Sequence, residues 1–200
     1  MFLSSITKED LRDLPVLQFT GTIHVVDTLQ AVTEAVSILS SEPILGFDTE
    51  TKPSFSKGKT NRVAILQLST HSDAFIFKIK KIGIPDILIE QVLSAPGIIK
   101  VGAAIHDDIR HLKRVSFFKE AGFVDLQVFV KQFGIENFGL SKLAGIVLKH
   151  RISKSQQLSN WEVDSLTQPQ LIYAATDAWA ALKIYVELNN NIPNTAVMAG

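Results

Sequence analysis

The sequence predicts an α/β domain built on a mixed sheet, in which an antiparallel hairpin is joined to parallel strands and flanked by helices. Two β-rich runs, at 63–70 and 74–79, are separated only by the polar tripeptide HSD, a spacing that indicates a hairpin. Apolar strand-like runs alternate with helical segments in the later half of the chain, a pattern typical of parallel strands. A long helical segment at 168–189 completes the pattern.

The remaining elements follow from local signals along the chain. Thr7 is a suitable N-cap for a short helix at 7–14, because acidic residues fill the first turn of that helix. Apolar residues recur at helical spacing over 28–41, which predicts a second helix. The other predicted elements are an extended run at 16–26, strands at 44–50 and 98–105, and helices at 85–95, 107–115, 125–133 and 141–150.

The length and composition indicate one folded unit. The chain has 200 residues, of which 46% are hydrophobic, and this is enough to bury a single substantial core. We expect a single domain over 1–200. Its core is expected at about 20–188, with an N-terminal helix and extension at 1–19 and a loose tail at 189–200.

Charge and composition exclude several classes of function. The formal net charge is zero, which argues against a protein that coats nucleic acid nonspecifically, although an enzyme that grips a strand locally remains compatible with it. The chain has no cysteine, so disulfides, thiolate catalysis and cysteine-ligated metal sites are excluded. No apolar run approaches membrane-spanning length, and the N-terminus turns charged too early for a signal peptide. We therefore expect no membrane partner and a cytoplasmic protein, or a nuclear one if the source is eukaryotic.

A pair of carboxylates ends the apolar strand at 44–50. Asp48 and Glu50 are two residues apart, so both side chains point to the same face of the strand. Two neighbouring carboxylates repel each other and are costly to bury unpaired, and a hard divalent cation such as Mg²⁺ or Mn²⁺ relieves both problems. Taken alone, the same letters are also common where a strand enters a solvated turn.

Two further segments carry acidic residues in suggestive positions. Asp107 and Asp108 begin a helix, where either would complement the helix dipole. Asp108 lies four residues before Leu112 and seven before Val115, so it is closer than Asp107 to the apolar face of that helix. Tyr173 and Asp177 are spaced i, i+4 and therefore lie on one face of the long helix, one turn apart. The alternative for this segment is an ordinary amphipathic helix, with Tyr173 in the core and Asp177 at its edge. Small residues keep the long helix slim enough to approach a sheet closely: Ala174, Ala175, Ala178, Ala180 and Ala181.

These segments resemble the motifs of a known family. GFDTE, VGAAIHDDIRHL and LSNWEVDSLTQPQLIYAATDAW are similar, in this order, to the three motifs of the DEDDy branch of the DnaQ-like 3′–5′ exonucleases, the group of ribonuclease D and the Werner-type exonuclease domains. PSFSKGKTNRVAILQLS is also similar to the Werner-type domain. The resemblance covers roughly residues 20–188, and every metal-ligand position matches. It implies an RNase H-like fold.

The resemblance also implies a mechanism. Two divalent cations, Mg²⁺ or Mn²⁺, would be held by Asp48, Glu50, Asp108 and Asp177, with Asp48 bridging them and Asp108 holding the second. Tyr173 would orient the attacking water, because an ordinary phenol is a poor base at neutral pH. The reaction would remove nucleotides from the 3′ end of DNA or RNA and release nucleoside 5′-monophosphates.

Positive charge is concentrated beside these motifs. Residues 51–72 and 137–161 contain basic residues and no acidic ones, which favours contacts with phosphates. Solvated loops and helix faces are the alternative for any single lysine. Trp161, and less so Phe55, are candidates for stacking on bases, although large aromatics are more often core residues. The basic candidates for nucleic-acid contacts are Lys52, Lys57, Lys59, Arg62, Lys149, Arg151 and Lys154.

The rival hypothesis is a binding module with the same fold that recognises nucleic-acid ends and cleaves them weakly or not at all. The presence of every expected acid counts against it, because a degenerate site usually loses at least one. A small neutral domain is also expected to draw affinity from a protein partner. DNA and RNA both stay open as substrates, since recognition of a 2′-hydroxyl depends on the shape of the pocket. The oligomeric state is likewise open.

Overall fold

A computed structural model describes residues 2–53 and 61–192, which form two sheets and their flanking helices. A small parallel pair joins β1 (Val16–Leu17) to β8 (Arg151–Ile152). The main sheet has six strands: β2 (Thr22–Val26), β3 (Ile44–Thr51), β4 (Val63–Ser69), β5 (Asp73–Phe77), β6 (Ile99–Gly102) and β7 (Phe123–Asp125).

The main sheet is mixed, as predicted. Its spatial order is β2-β5-β4-β3-β6-β7. β4 pairs antiparallel with both β3 and β5, and the second of these pairs is the predicted hairpin. The pairs β2–β5, β3–β6 and β6–β7 are parallel. The predicted fold class is therefore confirmed.

Eight α-helical segments lie in the described part of the chain, several of them short. Thr7 caps the first helix and Thr28 caps the second, each through its side-chain oxygen. The segments are α1 (Lys8–Asp13), α2 (Leu29–Leu39), α3 (Ile79–Ile82), α4 (Asp86–Leu88), α5 (His106–Lys113), α6 (Leu126–Phe129), α7 (Leu140–Leu143) and α8 (Gln168–Asn190). Three continue without a break: α4 and α7 into π-helical turns at Ile89–Leu93 and Ala144–Leu148, and α6 into a 3₁₀ turn at Val130–Phe133.

Three local predictions need correction. The extended run at 16–26 is not one strand, because β1 pairs with β8 whereas β2 forms an edge of the main sheet. β7 and β8 were not predicted, since strands of three and two residues are too short to show a period-two pattern. The predicted strand at 74–79 ends at Phe77, where the chain turns into α3.

The two larger hydrophobic cores lie against the main sheet. One core joins β3 and β5 to α2, α4 and α5, through residues such as Phe47, Val36 and Leu112. The other joins β6 to α6, α7 and α8, and it also contains Ile6 from the N-terminal segment. Among the described helices, none is both long and apolar enough to cross a membrane.

Candidate active site

The candidate site forms where α8 crosses β3 at unusually short range. Gly46 makes this approach feasible, because a Cβ atom at that position would lie 1.9 Å from the carbonyl oxygen of Ala178. The five alanines predicted to keep α8 slim are all buried. Residues that follow Gly46 on the same face of β3 are therefore brought directly beneath α8.

Three carboxylates converge at this crossing. Asp48 and Glu50 extend from β3 and Asp177 from α8, and one oxygen from each lies within 4.8 Å of the other two. The parallel pairing of β3 with β6 stops at Gly46 and Val101, so the carboxylates lie just past the point where β6 no longer pairs with β3. Such a position, beyond the end of a parallel strand, is a common place for a ligand site in α/β folds.

Asp108 reaches the same region from the opposite face of the sheet. It lies in the first turn of α5, is half-buried, and its Oδ1 accepts a hydrogen bond of 2.5 Å from the hydroxyl of Thr49. Thr49 lies between Asp48 and Glu50 and faces away from them, toward α5. Asp107, by contrast, is exposed and pairs with Arg110 at 3.0 Å. Asp108 stands outside the group of three converging carboxylates, but its charge acts on two of them.

Burial and mutual repulsion make the carboxylates resist ionisation. Burial, reinforced by the charges of Asp177, Glu50 and Asp108, raises the pKa of Asp48 well above its usual range. The same two effects raise the pKa of Glu50 to about 8, and burial raises the pKa of Asp177 to about 7. The pKa of Asp108 is also raised by burial, against the opposing effect of its hydrogen bond from Thr49. This pattern is typical of carboxylates held together for a function rather than for stability.

The residues fit a divalent cation. Asp177 Oδ1 is buried and has no hydrogen-bond partner within the described residues, so the protein leaves that acceptor unsatisfied. Carboxylate oxygens are the ligands that Mg²⁺ and Mn²⁺ prefer, and a bound cation would remove both the repulsion and the unsatisfied acceptor. No ion pair joins Asp48, Glu50 or Asp177 to a lysine, arginine or histidine in the ranges 2–53 and 61–192.

An open cavity of about 510 Å³ contains this cluster. Asp48, Glu50, Asp177 and Tyr173 line one side of it. The pKa of Tyr173 is raised by burial and by the carboxylates of Asp177 and Glu50, so its phenol remains protonated at neutral pH. The facing wall is formed by residues from the segments around α7 and β8: Gly139, Leu140, Ser141, Lys142, Ile152, Ser153, Lys154 and Gln157.

The predicted basic residues divide into several groups. Lys154 lines the cavity, and so does Lys142, which belongs to the same basic stretch. Arg151 is half-buried and its Nε donates to the carbonyl of Leu14 at 3.1 Å. Lys149 is exposed, with its Nζ donating to the carbonyl of Ile146 at 2.7 Å.

Of the basic candidates near β3, the two that the structure describes do not line the cavity. Lys52 is exposed and its Nζ lies 4.0 Å from a carboxylate oxygen of Glu162. Arg62 is exposed. Lys57, Lys59 and Phe55 lie outside the described residues.

Trp161 does not have the position expected of a base-stacking residue. Its side chain is 1% exposed and packs in a small core with Ala64, Ile65 and Ile76 beneath the first half of α8. Its ring centroid lies 5.8 Å from that of Tyr173. A ring without a free face cannot stack on a base, so the prediction for Trp161 was wrong and the residue instead supports Tyr173 from behind.

Sequence reasoning did not identify Gln67 as part of the site. Gln67 pairs with Asp48 across β3 and β4 and is fully buried, yet neither polar atom of its amide has a hydrogen-bond partner among the described residues. The available signal was a single amide within seven consecutive buried strand residues. An amide in such a strand is unfavourable to bury without a polar neighbour, and the residue opposite Gln67 across the strands is Asp48.

Comparisons with known proteins agree with this geometry. A family model described as 3′-5′ exonuclease matches residues 23–193. The mouse bifunctional 3′-5′ exonuclease/ATP-dependent helicase WRN is 33% identical over 195 residues, which is 92% of this chain but 14% of the mouse protein. The Nibbler EXO domain of Aedes aegypti superposes with a TM-score of 0.75 at 26% identity, over 84% of this chain and 87% of that one.

The fold and the family match together define an RNase H-like exonuclease domain. The fold of Escherichia coli RNase D is also similar, with a TM-score of 0.74 at 21% identity over 84% of this chain and 46% of the other. The chain belongs to the 3′-5′ exonuclease family, and the resemblance drawn from its three motifs is confirmed. It spans between 14% and 26% of the length of three curated relatives that it matches.

Proposed function

We propose that this chain is a 3′–5′ exonuclease that hydrolyses the terminal phosphodiester bond of a nucleic-acid strand and releases nucleoside 5′-monophosphates. The observation that carries the proposal is the convergence of Asp48, Glu50 and Asp177 in an open cavity, without a cationic partner among the described residues. A structural carboxylate cluster would be paired with lysine or arginine, because unpaired buried charge destabilises a fold.

Two divalent cations, Mg²⁺ or Mn²⁺, are the cofactors of this proposal. Asp48 is the central ligand and would contact both, Glu50 and Asp177 would complete the first site, and Asp108 would hold the second. When bound, such cations would activate the attacking water and would neutralise the charge that develops on the departing 3′ oxygen. Asp108 is the candidate for the second cation because its charge already acts on Asp48 and Glu50, whose pKa values it helps to raise.

Tyr173 has a positioning role in this proposal. Its raised pKa keeps the phenol protonated, so it cannot remove a proton from water at neutral pH. A phenol can still accept a hydrogen bond from the attacking water and donate one to a phosphate oxygen. Packing against buried Trp161 fixes the direction of the ring, which a positioning group requires.

The facing wall of the cavity supplies positive charge. Lys142 and Lys154 line it, and we propose that they contact the phosphate of the nucleotide being removed. Arg151, Lys149, Lys52 and Arg62 remain proposals for more distant phosphate contacts. Lys52 has the weakest geometric support of these, because Glu162 already lies within reach of its ammonium group.

The proposal is tested with matched DNA and RNA oligonucleotides of one sequence, each carrying a 5′ fluorophore, incubated with Mg²⁺, with Mn²⁺ or with EDTA. We expect a ladder that shortens from the 3′ end with a cation and no cleavage in EDTA. The ratio of the two rates also identifies the preferred substrate. Release of mononucleotides is measured separately with a label on the last nucleotide.

The rival binding module gives a different result in the same assay. It would bind the oligonucleotides, as measured by fluorescence anisotropy, but would leave both strands intact with either cation. That outcome would contradict the exonuclease proposal. Internal cleavage without a 3′ ladder would contradict the direction of attack.

A further inference from the structure

A second depression, which is basic, borders the acidic cavity. It has a volume of about 270 Å³ and is lined by Lys8 and Arg12 from α1 and by Arg151 and Lys154 from β8 and the residues after it. No acidic residue lines it. It shares Ser141, Ile152 and Lys154 with the wall of the acidic cavity, so the two depressions are adjacent. We call it the basic groove.

The N-terminal segment that forms one side of the basic groove is docked firmly. Gly145 leaves room for α1, because a Cβ atom at that position would lie 2.6 Å from a methyl group of Leu11 and 3.4 Å from one of Leu14. β1 pairs with β8 directly after α1, and Arg151 Nε donates to the carbonyl of Leu14 at 3.1 Å. The cations of α1 are therefore held at a fixed place relative to the site.

Charges on α1 are sorted between its faces. Lys8 and Arg12 are four residues apart and flank the inward-facing Leu11, so they share the side that lines the groove. Asp10 accepts a hydrogen bond from the hydroxyl of Thr7 at 2.7 Å and is thus engaged at the helix start. In the part of the chain that the structure describes, none of the four groove cations forms an ion pair.

Another depression also borders the acidic cavity, but its lining is uncharged. It shares Tyr173 and Ser153 with that cavity, has a volume of about 250 Å³, and is lined by no charged residue. A strand that leaves the acidic cavity must place its phosphates somewhere, and phosphates favour the path with unneutralised positive charge. The neutral depression suits an uncharged base or sugar instead.

We propose that the basic groove binds the phosphates of the nucleic-acid strand immediately 5′ of the nucleotide that is being removed. This inference rests on the proposed function, because that function places the 3′ end in the acidic cavity. The family match begins at residue 23, so Lys8 and Arg12 lie outside the matched region and add to it. The N-terminal segment is then a part of the substrate site and not only a structural extension.

Binding without cleavage gives the first test. The affinity of the intact chain for a fluorescent single-stranded 12-mer is measured in EDTA over a range of salt concentrations. The variant Lys8→Gln/Arg12→Gln is compared with Arg114→Gln/Lys119→Gln, which removes the same two kinds of charge from exposed positions on the α5 side. Melting curves verify that both variants are folded.

We expect the groove variant to bind the 12-mer about tenfold or more weakly at 0.1 M salt, with a slope of log affinity against log salt reduced by about 1.4, the value for two lost phosphate contacts on a single strand. The control variant should keep the wild-type slope to within about 0.5, since it loses no phosphate contact. Equal slopes for the two variants would overturn the proposal.

Cleavage kinetics give the second test and separate the two proposals. With Mn²⁺, the groove variant should raise the KM for the 12-mer by a larger factor than the KM for a dinucleotide, because a dinucleotide is too short to fill the groove. Equal factors would overturn the groove proposal while leaving the exonuclease intact. A reduced salt slope in a chain that cleaves neither substrate would support the groove and contradict the proposed function.

Discussion

The buried lysines and the buried carboxylates of this protein differ in how their charges are satisfied. Lys100 is fully buried, its Nζ donates to the carbonyls of Ala95 and Ile98, each at 2.8 Å, and it lies 5.1 Å from the ring centroid of Phe123. Lys78 is also buried, and its Nζ donates to the carbonyls at positions 163 and 164. Both ammonium groups replace lost water with protein acceptors.

The carboxylates at the crossing of β3 and α8 have no such compensation. Asp48, Glu50 and Asp177 face one another, and their raised pKa values show that the folded chain disfavours their ionisation. Burial lowers the pKa of Lys100 to about 8, yet that side chain still has two good acceptors. The contrast suggests that the lysines serve the fold, whereas the carboxylates are kept at the expense of stability for a ligand.

The largest effect should come from removing the central carboxylate. Asp48→Asn should lower turnover about a thousandfold or more, because it removes the charge proposed to hold both cations. The fold should persist, and the melting temperature in EDTA at pH 8 should rise, since one repelling charge is gone. The exposed Asp86→Asn is the matched control and should change neither. Wild-type turnover for Asp48→Asn would contradict the claim that the buried carboxylates are kept for a ligand.

The two neighbouring aspartates of α5 allow a sharper comparison. Asp108→Asn should slow cleavage about a hundredfold, because it weakens the proposed site of the second cation. Asp107→Asn removes an exposed charge that pairs with Arg110 and His106 at the surface, and should change the rate by less than about twofold. Steady-state rates with Mn²⁺ are the measurement. The reverse order would show that the site is one residue out of register.

Tyr173→Phe separates positioning from ligand binding within the same cavity. Loss of the hydroxyl should lower kcat about tenfold to a hundredfold, since the attacking water loses a hydrogen-bond partner. Mn²⁺ affinity, measured by calorimetric titration, should stay close to that of the wild type. Unchanged kcat would remove Tyr173 from the mechanism.

The raised pKa values of Glu50, about 8, and Asp177, about 7, predict how stability depends on pH without cations. The folded state keeps protons on these groups that the unfolded chain has already released above about pH 4.5. The free energy of unfolding should therefore fall between about pH 4.5 and 8, by an amount on the order of a few kcal/mol.

Thermal melts in EDTA at several pH values, repeated with Mn²⁺, measure this dependence. Mn²⁺ should stabilise most at the alkaline end of the window, where it replaces protons that have left. A free energy of unfolding that is constant or rises over the window would contradict the proposed electrostatics of the cluster.

The smallest effect on turnover should come from changing a buried lysine, because the lysines serve the fold. Lys100→Met leaves the carbonyls of Ala95 and Ile98 without their donor and should destabilise the fold by about 1–3 kcal/mol. The exposed Lys119→Met should change stability by less than about 0.5 kcal/mol. Turnover at 20 °C should survive in both. Loss of turnover in folded Lys100→Met would mean that this lysine also serves the site.

The sequence predicted most of what depends on local periodicity. Asp48 and Glu50 share a face because strand side chains alternate, and Tyr173 and Asp177 share one because helical side chains recur every turn. The sheet class followed from the hairpin and from the alternation of strands and helices. The same rules placed Asp108, rather than Asp107, toward the sheet.

What the sequence did not reveal depends on contacts between distant segments. β8 is too short for a periodic signal and exists because β1 pairs with it. Trp161 was open to two interpretations, since an aromatic residue gives no sign of its burial until its neighbours are known. The sequence also did not show that Lys8 and Arg12 lie beside the site, because that position depends on the packing of α1 against Gly145 and next to β8.

The central claim is that Asp48, Glu50 and Asp177 together hold a divalent cation. Anomalous diffraction from crystals soaked in Mn²⁺ tests it most directly, with crystals of Asp48→Asn soaked in parallel. We predict a manganese peak within coordination distance of all three carboxylates, which is lost or weakened in the variant. A wild-type structure with intact carboxylates and no peak among them at saturating Mn²⁺ would contradict the claim.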